Sequence, residues 1–450
     1  MALTGLDIYK QLPKKNCGEC GPPTCLAFAM QLASGKASLD ACPYVTEEAK
    51  EALASAAAPP IKLVKIGTGD AVLETGDETV IFRHDKTFVH PTGVFVELDD
   101  TLSKDDLEGR IGKIKDLVFE RVGQQYRVDG LMLRSKSGDI GAYRSALDTV
   151  YTSFPWALIL DVGGFASDAG TLETLVKEVA SVRPLLYAAD ESNYEVMTRI
   201  AKENDCPLAV KAEGLDALAD LVQKITGLGY KELVLDPSRR DLSAALADLT
   251  QIRRLAIKKK FRPLGYPTIA FAKSDDPKEQ MIEATMYIGK FASIVVTKAI
   301  ERHDLLPLLT WRANIFTDPQ KPIQVESKIS AVGNVTEESP VLVTTNFSLT
   351  YYSVEGEVEA SKVPAYILPV NTEGTSVLTA WAAGKFSAET ISAFIKECGI
   401  EQKVNHRNLV LPGHVAVLSG KLQELSGWKV IVGPKEASGI PAFMKAKFAS

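Results

Sequence analysis

VFVELDD at 94–100, GLMLRS at 130–135, ALILDV at 157–162 and LLYAAD at 185–190 share one design. Each is a short apolar run that closes on a polar or charged residue and is followed by a stretch of helical periodicity. Four more follow: LAVKA at 208–212, LVLDPS at 233–238, TIAFAK at 268–273 and SIVVTKA at 293–299. Runs apolar on every position suit strands buried on both faces, as in parallel sheets. Their spacing of about 25 to 35 residues suits one βα unit each. Eight units of near-constant length fit a closed (β/α)8 TIM barrel better than an open doubly wound sheet. Ligand sites of such barrels lie where strands end, which singles out Glu97, Asp99, Arg134, Asp161, Asp190, Asp236 and Lys273. Strand-end carboxylates are also ordinary helix caps, and no His, Cys or Lys constellation accompanies them, so a structural role is the expectation.

On the N-terminal side the chain changes character. NCGECGPPTCLAFAMQLASGKASLDACPY at 16–44 holds four of the six cysteines, Cys17, Cys20, Cys25 and Cys42, spaced Cys-x2-Cys-x4-Cys-x16-Cys with Pro43 after the last. Three thiolates close together and a fourth returning from a distant segment suit a 4Fe–4S cluster, whose irons each take one soft ligand. A zinc site ordinarily shows two Cys-x2-Cys knuckles, and here only the first pair has that form. Two disulfides would need an oxidising compartment, which nothing else suggests. The spacing also departs from the Cys-x3-Cys-x2-Cys of radical S-adenosylmethionine enzymes. Leu26, Phe28, Ala29, Met30 and Leu32 have helical spacing and could wall one side of a cluster from water. Cys206 and Cys398 stand alone in apolar segments and read as plain thiols.

The segment TEEAKEALASAAAPP at 46–60 reads as a short helix dissolving into a linker. IKLVKIGTG, AVLET, ETVIFRH and KTFVH, between 61 and 90, read as short strands, with His84 and His90 as surface or capping residues. FTDPQKPIQVES at 316–327 marks a second boundary. The expected domains are therefore 1–58 for the cluster, 59–92 as linker and β-rich segment, 93–316 for the barrel and 317–450 for a smaller α/β domain. In the last, VLVTTN from Val341, VPAYILPV from Val363, LVLPGHVAVL from Leu409 and WKVIVGP from Trp428 are expected strands, and 375–400 and 419–427 expected helices. Open α/β sheets bind ligands beyond the carboxyl ends of their strands. There the sequence places Thr344, Thr345 and Asn346; Val370, Asn371, Thr372, Glu373, Gly374 and Thr375; Pro412 and Gly413; and Gly433 and Pro434. Small and amide residues of this kind let a large flat ligand lie close to the backbone. No Gly-x-Gly-x-x-Gly or Walker loop occurs, which argues against a dinucleotide or nucleoside triphosphate.

The bulk properties are those of a globular chain of 450 residues with 46% hydrophobic and 24% charged content. A formal net charge of −6 argues against nucleic acid as a partner. The N-terminus lacks an apolar signal core and no long apolar run follows, so no membrane partner is expected and the cytoplasm is the default location.

The cysteine motif, combined with NTEGTSVLTAW at 371–381 and LPGHVAVLSG at 411–420, resembles the large (gamma) subunit of the corrinoid iron–sulfur protein of the anaerobic acetyl-CoA pathway, over the full length. The resemblance implies a cobamide in a Rossmann-like C-terminal domain, contacted by the strand-end residues named above. It implies a methyl carrier rather than a stand-alone enzyme. Cobalt(I) would take a methyl group from methyltetrahydrofolate through a corrinoid methyltransferase, and methyl–cobalt(III) would pass it to acetyl-CoA synthase. The 4Fe–4S cluster on Cys17, Cys20, Cys25 and Cys42, fed by a low-potential electron donor, would rescue cobalt(II). A small subunit completes a heterodimer. None of the histidines at 84, 90, 303, 406 and 414 sits in Asp-x-His-x-x-Gly, so the cobamide is expected base-off without a protein histidine ligand. Domain motion is expected at hinges near 52–60 and 317–322.

Overall fold

The computed structural model describes residues 5–33, 37, 39–46, 49, 59–82, 85, 88, 90–121, 124–317 and 322–448. The chain forms two compact units, Met1–Leu117 with Val128–Phe316, and Val118–Arg127 with Thr317–Ser450.

The first unit opens with two short helices, Gly5–Gln11 and Cys25–Ala33. They close on a small core of Ile8, Leu12, Phe28, Ala29 and Val45 that also takes in Cys25 and Cys42. An antiparallel hairpin follows, β1 (Val64–Ile66) and β2 (Leu73–Thr75). Val64 and Ile66 share one core with Phe95, Ile159, Leu185 and Ile294. Lys62 N donates to Gly265 O at 3.0 Å and Gly67 N to Arg183 O at 2.9 Å, so the hairpin stoppers the amino end of the barrel.

The barrel strands are β3 (Gly93–Asp99), β6 (Gly130–Arg134), β7 (Ala157–Asp161), β8 (Leu185–Ala189), β9 (Leu208–Lys211), β10 (Leu233–Asp236), β11 (Ile269–Phe271) and β12 (Ile294–Thr297). All eight expected runs are strands, and all pair in parallel in chain order, β12 returning to β3. Between β10 and β11 the ladder thins to a single bridge, Leu235 to Thr268, so the barrel is nearly closed. Alternate residues serve its two faces: Phe95, Met132, Ile159, Tyr187, Val234 and Phe271 fill the inside, while Val94, Val96, Leu131 and Leu133 are buried on the other. The helices that follow are capped from the loops beyond the runs, not by the strand-end residues themselves. Ser103, Asp139, Asp168, Asp241 and Asp276 each cap a helix by accepting from backbone N–H groups of its first turn.

A hairpin interrupts the barrel after its first helix, β4 (Phe119–Arg121) with β5 (Gln124–Tyr126), and belongs to the second unit. That unit is built on β13 (Ser330–Val332), β14 (Val341–Thr345), β15 (Ala365–Val370), β16 (Asn408–Leu411) and β17 (Lys429–Val432), in the order β13-β15-β14-β16-β17. Four strands are parallel and edge strand β13 is antiparallel. Side-chain alternation gives it two cores. Val341 and Val343 pack with Phe386, Ile391, Ile395 and Trp428. Leu342 and Ile367 pack with Val358, Ile440 and Met444. The order reverses between β14 and β16, and crevices form outside the carboxyl ends of strands at such a switch.

Several local expectations are corrected. The helix expected over 375–400 is two, Val377–Ala382 and Ala388–Glu397. Gly384 turns at φ 71° between them, and a Ser387–Thr390 capping box starts the second. HVAVL, expected in the strand from Leu409, is a tight helical turn over Gly413–Leu418. Within the described part of 76–90 there is no strand beyond the Ile61–Glu78 bridge. His84, most of the expected helix from Thr46 and residues 52–58 and 318–321 of the expected hinges lie outside the described residues.

Candidate cofactor-binding sites

Residues 16–21 form a loop with positive φ at Asn16, Gly18 and Gly21. This conformation suits glycine and asparagine and folds the backbone back on itself. Gly21 N donates to Gly18 O at 2.9 Å. Asn16 closes the loop at both ends: its Oδ1 accepts from Cys25 N at 2.8 Å, and its own N donates to Cys25 Sγ at 3.4 Å. Cys25 is also the first residue of its helix, where the unpaired N–H groups favour a thiolate. Cys25 and Cys42 are buried, Cys20 half-buried and Cys17 exposed. Burial pushes the Cys20 thiol up, its own backbone N–H pulls it down, and Cys42, Cys17 and Cys25 push it up again. All four thiols therefore share one electrostatic neighbourhood. Nearby, Tyr44 donates to Glu19 Oε1 at 2.8 Å, and Lys15 Nζ lies 3.7 Å from its ring centroid. This donor set fits a cluster held by four thiolates and tuned by an N–H···S hydrogen bond. Among the described residues no three His, Cys, Asp or Glu side chains form a single-ion site.

In the second unit a cavity of about 420 Å³ opens at the carboxyl ends of β14, β16 and β17. Leu342, Val410, Ile440 and Phe443 give it an apolar floor, and Pro412, His414, Gly433 and Pro434 stand on its rim. Two features of the wall fit a bound group. Thr344 Oγ1 is buried without a hydrogen-bond partner and lines the cavity. Gly413 lies so close to the β17 loop that a Cβ there would meet Gly433 O at 2.6 Å, which keeps the rim thin and backbone-lined.

The sequence-derived residues divide into two groups. Pro412, Gly433 and Pro434 reach the cavity, with Gly413 packed directly behind. Asn346, Val370, Asn371, Thr372, Glu373, Gly374 and Thr375 instead gather in one knot beside it. Asn346 Oδ1 accepts from Thr372 N at 2.9 Å, Thr372 Oγ1 at 3.2 Å and Gly374 N at 3.2 Å. Asn346 N donates to Val370 O at 2.9 Å. Asn371 Oδ1 accepts from Glu373 N at 3.0 Å, and Thr375 Oγ1 donates to Thr372 O at 2.7 Å. Asn346 and Thr372 are buried, whereas Asn371 and Glu373 stay exposed. Glu373 and Gly374 both take positive φ. Buried members hold the loop's shape and exposed ones face outward. The sequence did not single out Thr350, Ser353, Ser376 and Lys435, which also line the cavity; they come from helices and loops whose direction only the fold supplies.

His406 commits both ring nitrogens, Nδ1 accepting from Asn408 N at 3.1 Å and Nε2 meeting Ser339 O at 3.0 Å. His414, on the rim, pairs with Glu436 at 3.3 Å.

At the barrel mouth the strand-end charges answer one another. Arg134 bridges Glu97 at 2.7 Å and Asp161 at 3.2 Å. Arg240 grips Asp236 at 2.6 Å, and Tyr187 donates to the same carboxylate at 2.6 Å. Both guanidiniums lie over Phe271, at 5.1 and 4.6 Å from its centroid. Burial opposes the charge of Arg134, but Glu97 and Asp161 outweigh it and hold its pKa above the ordinary guanidinium value. Asp99 accepts from Thr101 N and Asp190 from Ser192 N, as loop-forming residues. Lys273 is exposed, and its backbone N–H donates to Glu283.

The four-thiol loop, the nearly closed parallel barrel and the second α/β unit define a modular α/β protein with an iron–sulfur-type ligand set. The family described as "CO dehydrogenase/acetyl-CoA synthase delta subunit" matches residues 63–444. The one described as "Putative Fe-S cluster" matches residues 12–44, enclosing all four cysteines. The corrinoid/iron-sulfur protein large subunit of Moorella thermoacetica is 54% identical over 450 residues, 100% of each chain. The acetyl-CoA decarbonylase/synthase complex subunit gamma of Methanopyrus kandleri is 36% identical over 98% of this chain and 97% of that one. Among solved structures, 7,8-dihydropteroate synthase from Vibrio fischeri aligns with TM-score 0.38 and 13% identity, over 54% of this chain and 100% of that one. The chain belongs to the family of corrinoid/iron–sulfur protein large subunits, whose archaeal members are acetyl-CoA decarbonylase/synthase gamma subunits. The first family's description says delta, but the full-length relatives are large or gamma subunits, and their end-to-end identity decides between the two.

Proposed function

We propose that the chain is a methyl carrier that holds a corrinoid in its second unit and a 4Fe–4S cluster on Cys17, Cys20, Cys25 and Cys42. Bound there, a corrinoid would supply a cobalt centre able to carry the methyl group of methyltetrahydrofolate from a methyltransferase to acetyl-CoA synthase. The four cysteines would hold a cluster able to supply, from an external low-potential donor, the electron that reactivation of such a carrier needs. The observation that carries this reading is the pairing, in one chain, of the four-thiol loop with a strand-end cavity bearing the unpartnered Thr344 hydroxyl. Full-length identity to a protein named for both cofactors supports it.

Each part of the site has work in this scheme. Pro412, Gly433 and Pro434 form a low rim that lets a flat macrocycle approach backbone, and Gly413 keeps that rim thin. The Asn346–Thr372 knot fixes the 371–375 loop so that Asn371 and Glu373 face outward, toward the group's amide edges. His406 is spent on the backbone and His414 on Glu436, so neither would serve as a histidine ligand to the cobalt of a bound corrinoid. A small subunit completes the complex, as the relative's designation "large subunit" suggests.

Replacing Cys42 by Ser tests the division of labour. The expected protein loses iron but keeps corrinoid, and takes up methyl groups only when a strong chemical reductant replaces the cluster. Undiminished iron with unchanged reactivation by the protein donor would overturn the assignment.

A further inference from the structure

The helix Pro277–Gly289 of the barrel turns one stripe outward: Lys278, Met281, Ile282, Thr285, Met286 and Gly289, continued by Lys290. These positions recur at the three- and four-residue spacing of a single helical face. Together with Trp311 of the helix Arg302–Phe316 they line a groove of about 570 Å³. Ile282 is 62% exposed and Trp311 42%. Gly289 leaves room for the indole, whose nearest atoms would lie 3.9 Å from a Cβ there, and Trp311 Nε1 is fixed by donating to Thr285 O at 3.1 Å. The floor is thus a rigid aromatic and flexible methionines, a surface that packs against another helix.

The charged side chains that line the groove carry one sign. The two acidic side chains of the same helix bond away from it, Glu283 to the backbone of Lys273 and Ser274, Glu279 to Ser274 Oγ. Lys278 and Lys290 remain at its two ends, neither in an ion pair with a described residue, about 18 Å apart at the rise of an α-helix. We propose that this groove seats an amphipathic helix of a companion subunit, with a carboxylate about three turns from another so that each meets one lysine. The proposal rests on the reading of the chain as one subunit of a complex, and adds where and by what chemistry a partner docks.

The test uses the full chain, loaded with its cofactors, and its co-expressed small subunit, with association followed by sedimentation. Ile282→Asp is expected to weaken association roughly tenfold or more. The double reversal Lys278→Glu with Lys290→Glu is expected to weaken it and to remove its sensitivity to salt. Unfolding midpoints and iron and cobalt contents are expected to match the parent. Parent-like association of the charge reversal and of a folded Ile282→Asp chain would overturn the proposal while leaving the chain's function as read. Self-association of the chain alone, abolished by Ile282→Asp, would overturn it in favour of a second copy. Failure of the unaltered chain to bind any companion would overturn the subunit reading itself, and this proposal with it.

Discussion

Asn346 illustrates how one buried amide can fix the shape of a strand-end loop. Its side-chain oxygen accepts three hydrogen bonds from the 372–374 loop, and its amide donates to Gln324 Oε1 at 3.0 Å. Asn346→Ala strands the buried N–H groups of Thr372 and Gly374, and should cost about 1–3 kcal/mol in urea unfolding of the second unit; an unchanged midpoint would show the knot is not structural. His414 offers the complementary case. Because its ring pairs with Glu436, His414→Ala should leave the electron paramagnetic resonance of the corrinoid's cobalt(II) state unchanged, and loss of a nitrogen coupling would show that it is a ligand. At this scale the sequence conveyed which residue types gather at strand ends, because glycine, proline and amides there reflect backbone requirements. It could not separate Pro412 and Gly433 on the cavity from Asn346 and Thr372 beside it, since that depends on hydrogen bonds between segments 26 residues apart.

The eight barrel strands were legible because each is apolar on both faces and ends on a charge, a pattern that a parallel strand followed by a capped helix imposes. β13 was not: three residues, Ser330–Val332, become a strand only because β15 offers an unpaired edge. The β4–β5 hairpin was equally silent, lying in a loop that the regular spacing of βα units led one to pass over. HVAVL reads as a strand by composition and is a helical turn because Gly413 must pass close to Gly433. One anchor between elements is open to direct test. Arg253 meets Glu78, and also donates to Val80 O at 2.6 Å and Ile81 O at 3.2 Å, with its guanidinium over Phe88 and Phe291. Both partners are nearly buried, so Arg253→Ala leaves a carboxylate without its counter-charge and should cost the first unit about 3–5 kcal/mol in denaturant unfolding. A cost below about 1 kcal/mol would mean the pair behaves as a surface bridge.

At the scale of the molecule, the expected boundary near 317 is only one of the places where the chain passes between units. It also crosses at 117–118 and 127–128, because the β4–β5 hairpin belongs with the C-terminal sheet. A protease site introduced within 318–321 should therefore cut the chain without releasing residues 322–450, the two pieces eluting together by size exclusion; separate elution would show that the hairpin does not hold. At the barrel mouth Arg134 and Arg240 are paired with carboxylates, whereas Thr344 Oγ1 beside the strand-end cavity has no partner. Among the described residues no helix is long and apolar enough to cross a membrane. The central claim, one chain holding both a cluster and a corrinoid, is tested most directly by metal analysis of anaerobically purified protein. About four irons and about one cobalt per chain, with a visible spectrum that passes to a cobalt(I) form under a low-potential reductant, is the expected result. Four irons with no cobalt, persisting after incubation with a cobamide and the small subunit, would contradict it.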